Sequence, residues 1–165
     1  MSSHNLEGTH LAYVDCLNEW VENFILPDRP SLSIRKDKSI QDQSKFSSTL
    51  KIKEPDICDH PVIPDLIARD TSARFYGNKK NFYLIGEGKT AGDWNSDKKR
   101  KFEQMDVYFF HLQKKAERDN YETLILYALP EFLLNEARML LKKSKKKIQA
   151  NLVNFEVISE LGLTE

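Results

Sequence analysis

The chain has 165 residues, enough for one domain over residues 1–165 with a buried core, and 25 basic residues balance 25 acidic ones. A formal net charge of zero argues against nucleic-acid binding by bulk charge alone, and no apolar run has the length of a membrane span. Cys16 and Cys58 form no CxxC pair, which argues against a zinc or iron–sulfur site built from cysteines. Two lone thiols fit a reducing cytoplasm, and the first residues lack a signal-peptide pattern.

The first predicted element is a helix over residues 9–26. Thr9 suits the N-cap position, and Pro27 and Pro30 end the helix. Its apolar residues recur at helical spacing and are predicted to face the core: Leu11, Val14, Leu17, Val21, Phe24 and Ile25.

Strands dominate the middle of the chain. The polar segment 36–48 is predicted to be an exposed loop, and Gly77 and Asn78 are typical of a hairpin turn. Apolar or alternating runs predict two to four strands: 61–68 and 81–90 are typical strands, and 31–35 and 49–53 are further candidates.

Helices and strands alternate in the rest of the chain, with helices at about 97–118 and 130–146 and strands at 121–129 and 151–158. The inward residues of the two helices are predicted to be Phe102, Met105, Phe109, Leu112 and Ala116, then Phe132, Leu133, Ala137, Leu140 and Leu141. The order predicts an α/β fold with a mixed central sheet flanked by helices.

Two carboxylates and a lysine form the candidate site. Asp65 interrupts an apolar run, where a carboxylate is costly unless it is paired or binds a cation. Glu87 and Lys89 end the next apolar run and project from one face of a strand. A hairpin would bring Asp65 beside them, and two converging carboxylates suit Mg²⁺ or Mn²⁺. The lysine ammonium can orient a water molecule and stabilise charge on a phosphate.

Other interpretations of these residues stay open. Glu87 and Lys89 could form an ordinary surface salt bridge. Asp56, in a segment that looks like a loop, competes with Asp65 as the metal ligand, although the apolar surroundings favour Asp65. The lysine clusters at 98–101 and 142–147 are typical either of solvated helix ends or of contacts with a nucleic-acid backbone.

The segments PDLIA and LIGEGKT resemble the motif of the PD-(D/E)xK nuclease superfamily, whose shared core is helix, three or four strands, helix, strand. Gln104 and Tyr108, four residues apart on one helix face, resemble the QxxxY motif of its RecB-like branch. His10, after Gly8 and Thr9, matches the position of a metal-binding histidine in that branch.

The resemblance implies a restriction-endonuclease-like αβββαβ core followed by a further helix and strand. It implies a metal-dependent deoxyribonuclease in which Asp65, Glu87 and His10 bind Mg²⁺ or Mn²⁺, Lys89 assists the attacking water, and Gln104 and Tyr108 help to place the phosphate. DNA is the expected partner, with no membrane, and a homodimer or a larger nuclease complex is compatible with so small a chain. The alternatives are a sequence-specific restriction endonuclease of this fold and a non-catalytic module that binds nucleic acid or protein.

Overall fold

A five-stranded mixed sheet lies at the centre of the computed structural model, which describes residues 9–37, 50–75, 79–96 and 98–159. The strand order is β1-β2-β3-β4-β5; β1, β2 and β3 pair antiparallel, whereas β3, β4 and β5 pair parallel. The strands are β1 (Ser33–Lys36), β2 (Leu66–Asp70), β3 (Phe82–Gly88), β4 (Glu122–Ala128) and β5 (Val153–Ile158). The predicted α/β class, with a mixed sheet flanked by helices, is therefore confirmed.

Helices cover both faces of this sheet. They are α1 (His10–Phe24), α2 (Ala91–Ser96), α3 (Lys98–Asp119) and α4 (Leu134–Ile148). The hydroxyl of Thr9 accepts a hydrogen bond from the Ala12 N–H at 3.2 Å, so the predicted N-cap of α1 is confirmed. Leu17 of α1 packs with Leu84 on one face, and Phe109 of α3 packs with Ile85 on the other. Within the described residues no helix is both long and apolar enough to cross a bilayer.

Strand alternation decides which side chains meet α3. In β3, Leu84 and Gly86 point toward α1, whereas Ile85 and Glu87 point toward α3. Because Leu66 pairs with Gly86, the odd-numbered residues of β2 share the α3 face. Polar side chains on this face at the end of β3 can therefore meet polar side chains from α3.

Four predictions about the first half need correction or lie outside the described residues. The predicted strand 49–53 is reduced to one antiparallel bridge between Ile52 and Val62. The predicted strand 61–68 begins only at Leu66, so Asp65 lies directly before β2. The predicted loop at 36–48 lies mostly outside the described residues, as do Gly77 and Asn78.

Three aromatic residues predicted to face the core are exposed. The exposed fractions are 59% for Phe24, 41% for Phe102 and 75% for Phe132. Phe24 ends α1, and Phe102 lies near the start of α3. Phe132 belongs to a 3₁₀ turn before α4, where side chains repeat every three residues, so the helical phase used for the prediction does not apply.

Candidate active site

Two buried carboxylates meet where β2 begins and β3 ends. The Asp65 N–H donates to the Gly86 carbonyl at 3.1 Å, which extends the β2–β3 pairing by one residue and puts Asp65 beside Glu87. Only 6% of Asp65 and 3% of Glu87 is exposed. Such burial requires hydrogen bonds or a cation for each carboxylate.

Residues of α3 hold one oxygen of Glu87. The Tyr108 hydroxyl donates to Oε1 of Glu87 at 2.5 Å, and Nε2 of Gln104 donates to the same oxygen at 3.2 Å. The Tyr127 hydroxyl of β4 in turn donates to Oε1 of Gln104 at 3.4 Å. One turn of α3 separates Gln104 from Tyr108, so both side chains predicted from the QxxxY spacing reach Glu87 from one helix face.

The other carboxylate is held by backbone and by α1. Oδ2 of Asp65 accepts a hydrogen bond from the Gly88 N–H at 2.8 Å and lies 2.9 Å from Nε2 of His10. A Cβ atom at Gly88 would lie 2.9 Å from Cβ of Tyr13. The missing side chain therefore lets the first turns of α1 approach β3 closely enough for His10 to reach Asp65.

Burial and close charges set the protonation of the two carboxyl groups. Burial, and next the nearby Asp65, raise the pKa of Glu87 well above its ordinary value. Lys89 acts in the opposite direction, with Nζ 3.8 Å from Oε2 of Glu87. The hydrogen bond with Asp65 raises the pKa of His10. A cation between the carboxylates would remove the need for a proton there.

A cleft of about 530 Å³ opens onto these groups. Its lining combines carboxylates with basic and polar residues and one isoleucine: His10, Ile63, Asp65, Glu87, Lys89, Asp93, Ser96, Arg100, Lys101 and Gln104. We call it the carboxylate cleft. It contains every residue of the predicted site except Tyr108, which lies fully buried behind Glu87.

Lys101 belongs to the carboxylate cleft, although its sequence context predicts only membership of a lysine cluster. Its Nζ donates to the Trp94 carbonyl at 2.9 Å and lies 4.0 Å from the centre of the Trp94 ring. Burial lowers the pKa of Lys101. The signal was in the spacing, because position 101 precedes Gln104 by three residues and Tyr108 by seven. Trp94 itself is fully buried, so it offers no surface for stacking on a base.

The donor atoms fit a hard divalent cation. Apart from the hydrogen bond between the two carboxyl groups themselves, no N–H or O–H group of residues 9–37, 50–75, 79–96 or 98–159 donates to Oδ1 of Asp65 or Oε2 of Glu87. Carboxylate oxygens are the ligands that Mg²⁺ and Mn²⁺ prefer. Nε2 of His10 is engaged with Asp65, so its role as a metal ligand stays a prediction. The competing Asp56 is exposed and does not line the carboxylate cleft.

A second group of ligand atoms lies in the loop before β2. It contains three ligand atoms, one each from Cys58, Asp59 and His60. These atoms lie within 4.8 Å of one another, so the group could hold a metal ion. Cys58 is buried, whereas Asp59 and His60 are exposed. A thiolate and an imidazole favour softer ions than Mg²⁺, so this group differs in chemistry from Asp65 and Glu87.

Comparison with known proteins adds no assignment: no profile of a protein family, no curated protein and no solved structure matches the chain.

Proposed function

We propose that this protein is a metal-dependent deoxyribonuclease with a PD-(D/E)xK-like site. The observation that carries the proposal is the convergence of Asp65, Glu87 and Lys89 in one cleft, with Gln104 and Tyr108 bonded to Glu87. The element order supports it, since a helix, three strands, a helix and a strand form the sequence expected of that superfamily's core.

Asp65 and Glu87 would hold Mg²⁺ or Mn²⁺ through Oδ1 and Oε2, the oxygens that accept no hydrogen bond from an N–H group in the described part of the chain. When bound, such an ion polarises a phosphoryl oxygen and lowers the pKa of a water molecule. The protein's part is to keep two oxygen ligands in place before the metal arrives. Tyr108 and Gln104 do this for Glu87, and the Gly88 N–H and His10 do it for Asp65.

The basic residues of the carboxylate cleft would bind the substrate phosphate. The backbone N–H of Lys89 donates to the Ala128 carbonyl at 2.9 Å, which fixes this residue at the end of β3. Its ammonium would orient the attacking water and stabilise the charge that develops on the phosphate. Arg100 and Lys101 offer further donors for phosphate oxygens in the same cleft.

Cleavage assays test this function directly. Linear and circular DNA, single- and double-stranded, would be incubated with Mg²⁺ or Mn²⁺ and with wild type, Asp65→Ala, Lys89→Ala or Asp56→Ala. We expect the first two variants to lose at least about 100-fold in rate, which is the scale for removing one group that stabilises transition-state charge. Asp56→Ala is the matched control, since it removes an exposed carboxylate outside the carboxylate cleft.

Metal binding supplies a readout that does not depend on catalysis. A ligand that binds only the folded state raises the free energy of unfolding. Mn²⁺ should therefore raise the melting temperature of wild type and Asp56→Ala, but not that of Asp65→Ala. In the cleavage assay, failure of the wild type to cut any DNA would favour the non-catalytic binding module. Cleavage to defined fragments instead of a smear would favour the restriction endonuclease.

The setting expected for this activity is the cytoplasm. Cys16 and Cys58 are both buried and form no disulfide, which suits a reducing compartment.

A further inference from the structure

A second groove lies on the same face of the sheet as Glu87, at the edge formed by β1. It has a volume of about 340 Å³. Its polar lining residues are Ser31, Ser33, Arg35, Arg69, Thr71 and Tyr83. We call it the edge groove. All of its polar side chains are hydrogen-bond donors, and no carboxylate is among the described residues that line it.

Arg69 is held in the edge groove by aromatic rings. Its guanidinium carbon lies 4.8 Å from the centre of the Tyr83 ring and 5.8 Å from that of Tyr121. One N–H group donates to the Tyr121 hydroxyl at 3.0 Å. Across the described parts of the chain, no carboxylate lies within salt-bridge distance of Arg69. The side chain is thus fixed in orientation, and none of the described carboxylates pairs with its charge.

Arg35 adds a second positive charge to this face. In the β1–β2 register Ser33 pairs with Arg69 and Arg35 pairs with Ile67, so the two arginines are diagonal neighbours. Diagonal side chains on one sheet face are about 7–8 Å apart, close enough for both to contact one phosphate group.

We propose that the edge groove binds a backbone phosphate of the nucleic-acid substrate at a distance from the bond that is cut, with Arg69 and Arg35 as the contacting residues. This inference rests on the proposed function, because it takes the ligand to be a phosphodiester chain. Arginine, serine, threonine and tyrosine side chains are common donors to nucleic-acid phosphates. Such contacts position the duplex and do not read its sequence.

The strand geometry gives the spacing between the two sites. Arg69 follows Asp65 by four residues, and a strand rises about 3.3 Å per residue, so the two positions are about 13 Å apart along β2. A duplex that lies along β2 advances about 3.4 Å per base pair, so the bound phosphate would be about four base pairs from the scissile one. The edge groove therefore gives the substrate a direction relative to the carboxylate cleft.

The salt dependence of binding to a duplex of about 24 base pairs tests the inference. This length is several times the span of about four base pairs between the two sites. Binding would be measured in a Lys89→Ala background with Mg²⁺, so that the DNA stays intact. Arg69→Gln and Arg35→Gln should each raise Kd by about tenfold and reduce the slope of log K against log salt by about 0.9. Arg69→Lys should retain most of the slope because it keeps the charge. Arg118→Gln, in the last turn of α3 and outside both grooves, is the matched control.

Kinetics separate this positioning role from catalysis. In the wild-type background Arg69→Gln and Arg35→Gln should raise KM for the long duplex and leave kcat unchanged, whereas Lys89→Ala should lower kcat. Unchanged Kd, slope and KM in both variants, with wild type cutting DNA, would overturn the inference alone. A wild type that neither binds nor cuts DNA would overturn the proposed function as well. If Arg69→Gln unfolds, Arg35→Gln decides, because Arg35 is exposed on the edge strand.

Discussion

Replacing Gly88 by alanine should disturb the candidate site through α1. A Cβ atom at this position would lie 2.9 Å from Cβ of Tyr13 and 3.1 Å from the backbone carbon of Tyr13 and the backbone nitrogen of Val14. Non-bonded carbon atoms rest about 3.5–4.0 Å apart, so α1 would have to retreat by about 0.6–1 Å. Because two of the three close atoms belong to the backbone, a side-chain rotation cannot relieve the clash.

The size of the effect follows from this displacement. Inserting a methyl group into a well-packed region costs about 1–3 kcal/mol, and each kcal/mol lowers the melting temperature of a domain this size by about 2–4 °C. The same displacement would stretch the 2.9 Å contact between His10 and Asp65, since His10 begins α1. The activity of Gly88→Ala should therefore fall even at temperatures where the protein remains folded.

Gly86 and Gly92 are matched controls for Gly88. None of the three glycines has a φ in the left-handed region, so an alanine at any of them is free of that backbone strain. At Gly86 the nearest atom to an added Cβ is Cδ1 of Leu17 at 3.3 Å, the end of a flexible side chain, so the cost should be smaller. At Gly92 the nearest is Oγ1 of Thr90 at 3.8 Å, which is ordinary contact, so Gly92→Ala should be neutral or slightly stabilising.

Thermal unfolding and initial cleavage rates of the three variants provide the measurement. The expected order of loss is Gly88→Ala, then Gly86→Ala, then Gly92→Ala, in both assays. If Gly88→Ala were as stable and as active as Gly92→Ala, the close approach of α1 to β3 would be wrong, and so would the account of how His10 reaches Asp65.

Two further predictions concern buried hydrogen bonds. Tyr108→Phe should reduce stability by about 1.5–3 kcal/mol and lower kcat/KM, because Glu87 loses its shortest hydrogen bond; denaturant unfolding and kinetics measure both, and full activity would contradict the role of Tyr108. Burial acts to raise the pKa of Asp70, but hydrogen bonds from Ser72 and from Arg29 outweigh it and leave the pKa below its ordinary value. The resulting stabilisation is complete above about pH 5 and is lost as pH falls below about 4, through the lowered pKa. Asp70→Asn should thus cost about 3–5 kcal/mol at pH 7 and less at pH 3 in urea unfolding; an equal loss at both would contradict it.

The sheet was largely predictable because its central strands are continuous apolar runs. Side chains of β3 and β4 are buried on both faces, so the residues that form them stand out from the charged segments around them. Residues 49–53 show only weak alternation, and alternation does not reveal whether a partner strand is present. In the structure that segment finds one bridging partner, Val62, and no ladder follows.

Helix periodicity predicted the buried faces but not where they stop. The apolar pattern of α1 continues to Phe24, and that of α3 begins at Phe102, yet both rings are exposed. Periodicity describes one element alone, whereas burial needs a neighbour opposite each turn. The last turn of a helix can keep the apolar pattern after its partner surface has ended. Phe24 packs against Trp20 of its own helix, with ring centres 5.3 Å apart.

The candidate site depends on strand register, which motif spacing does not specify. Asp65 reaches Glu87 because Leu66 pairs with Gly86, and a slip of one residue would turn Asp65 to the α1 face. The sequence could propose this pair because a hairpin joins the two strands directly. The edge groove had no such local signal, since Arg35 and Arg69 become neighbours only through the β1–β2 register. Convergence of residues distant in the chain is the part of function that a single sequence hides most completely, and it is the part that paired substitutions in the two grooves would measure.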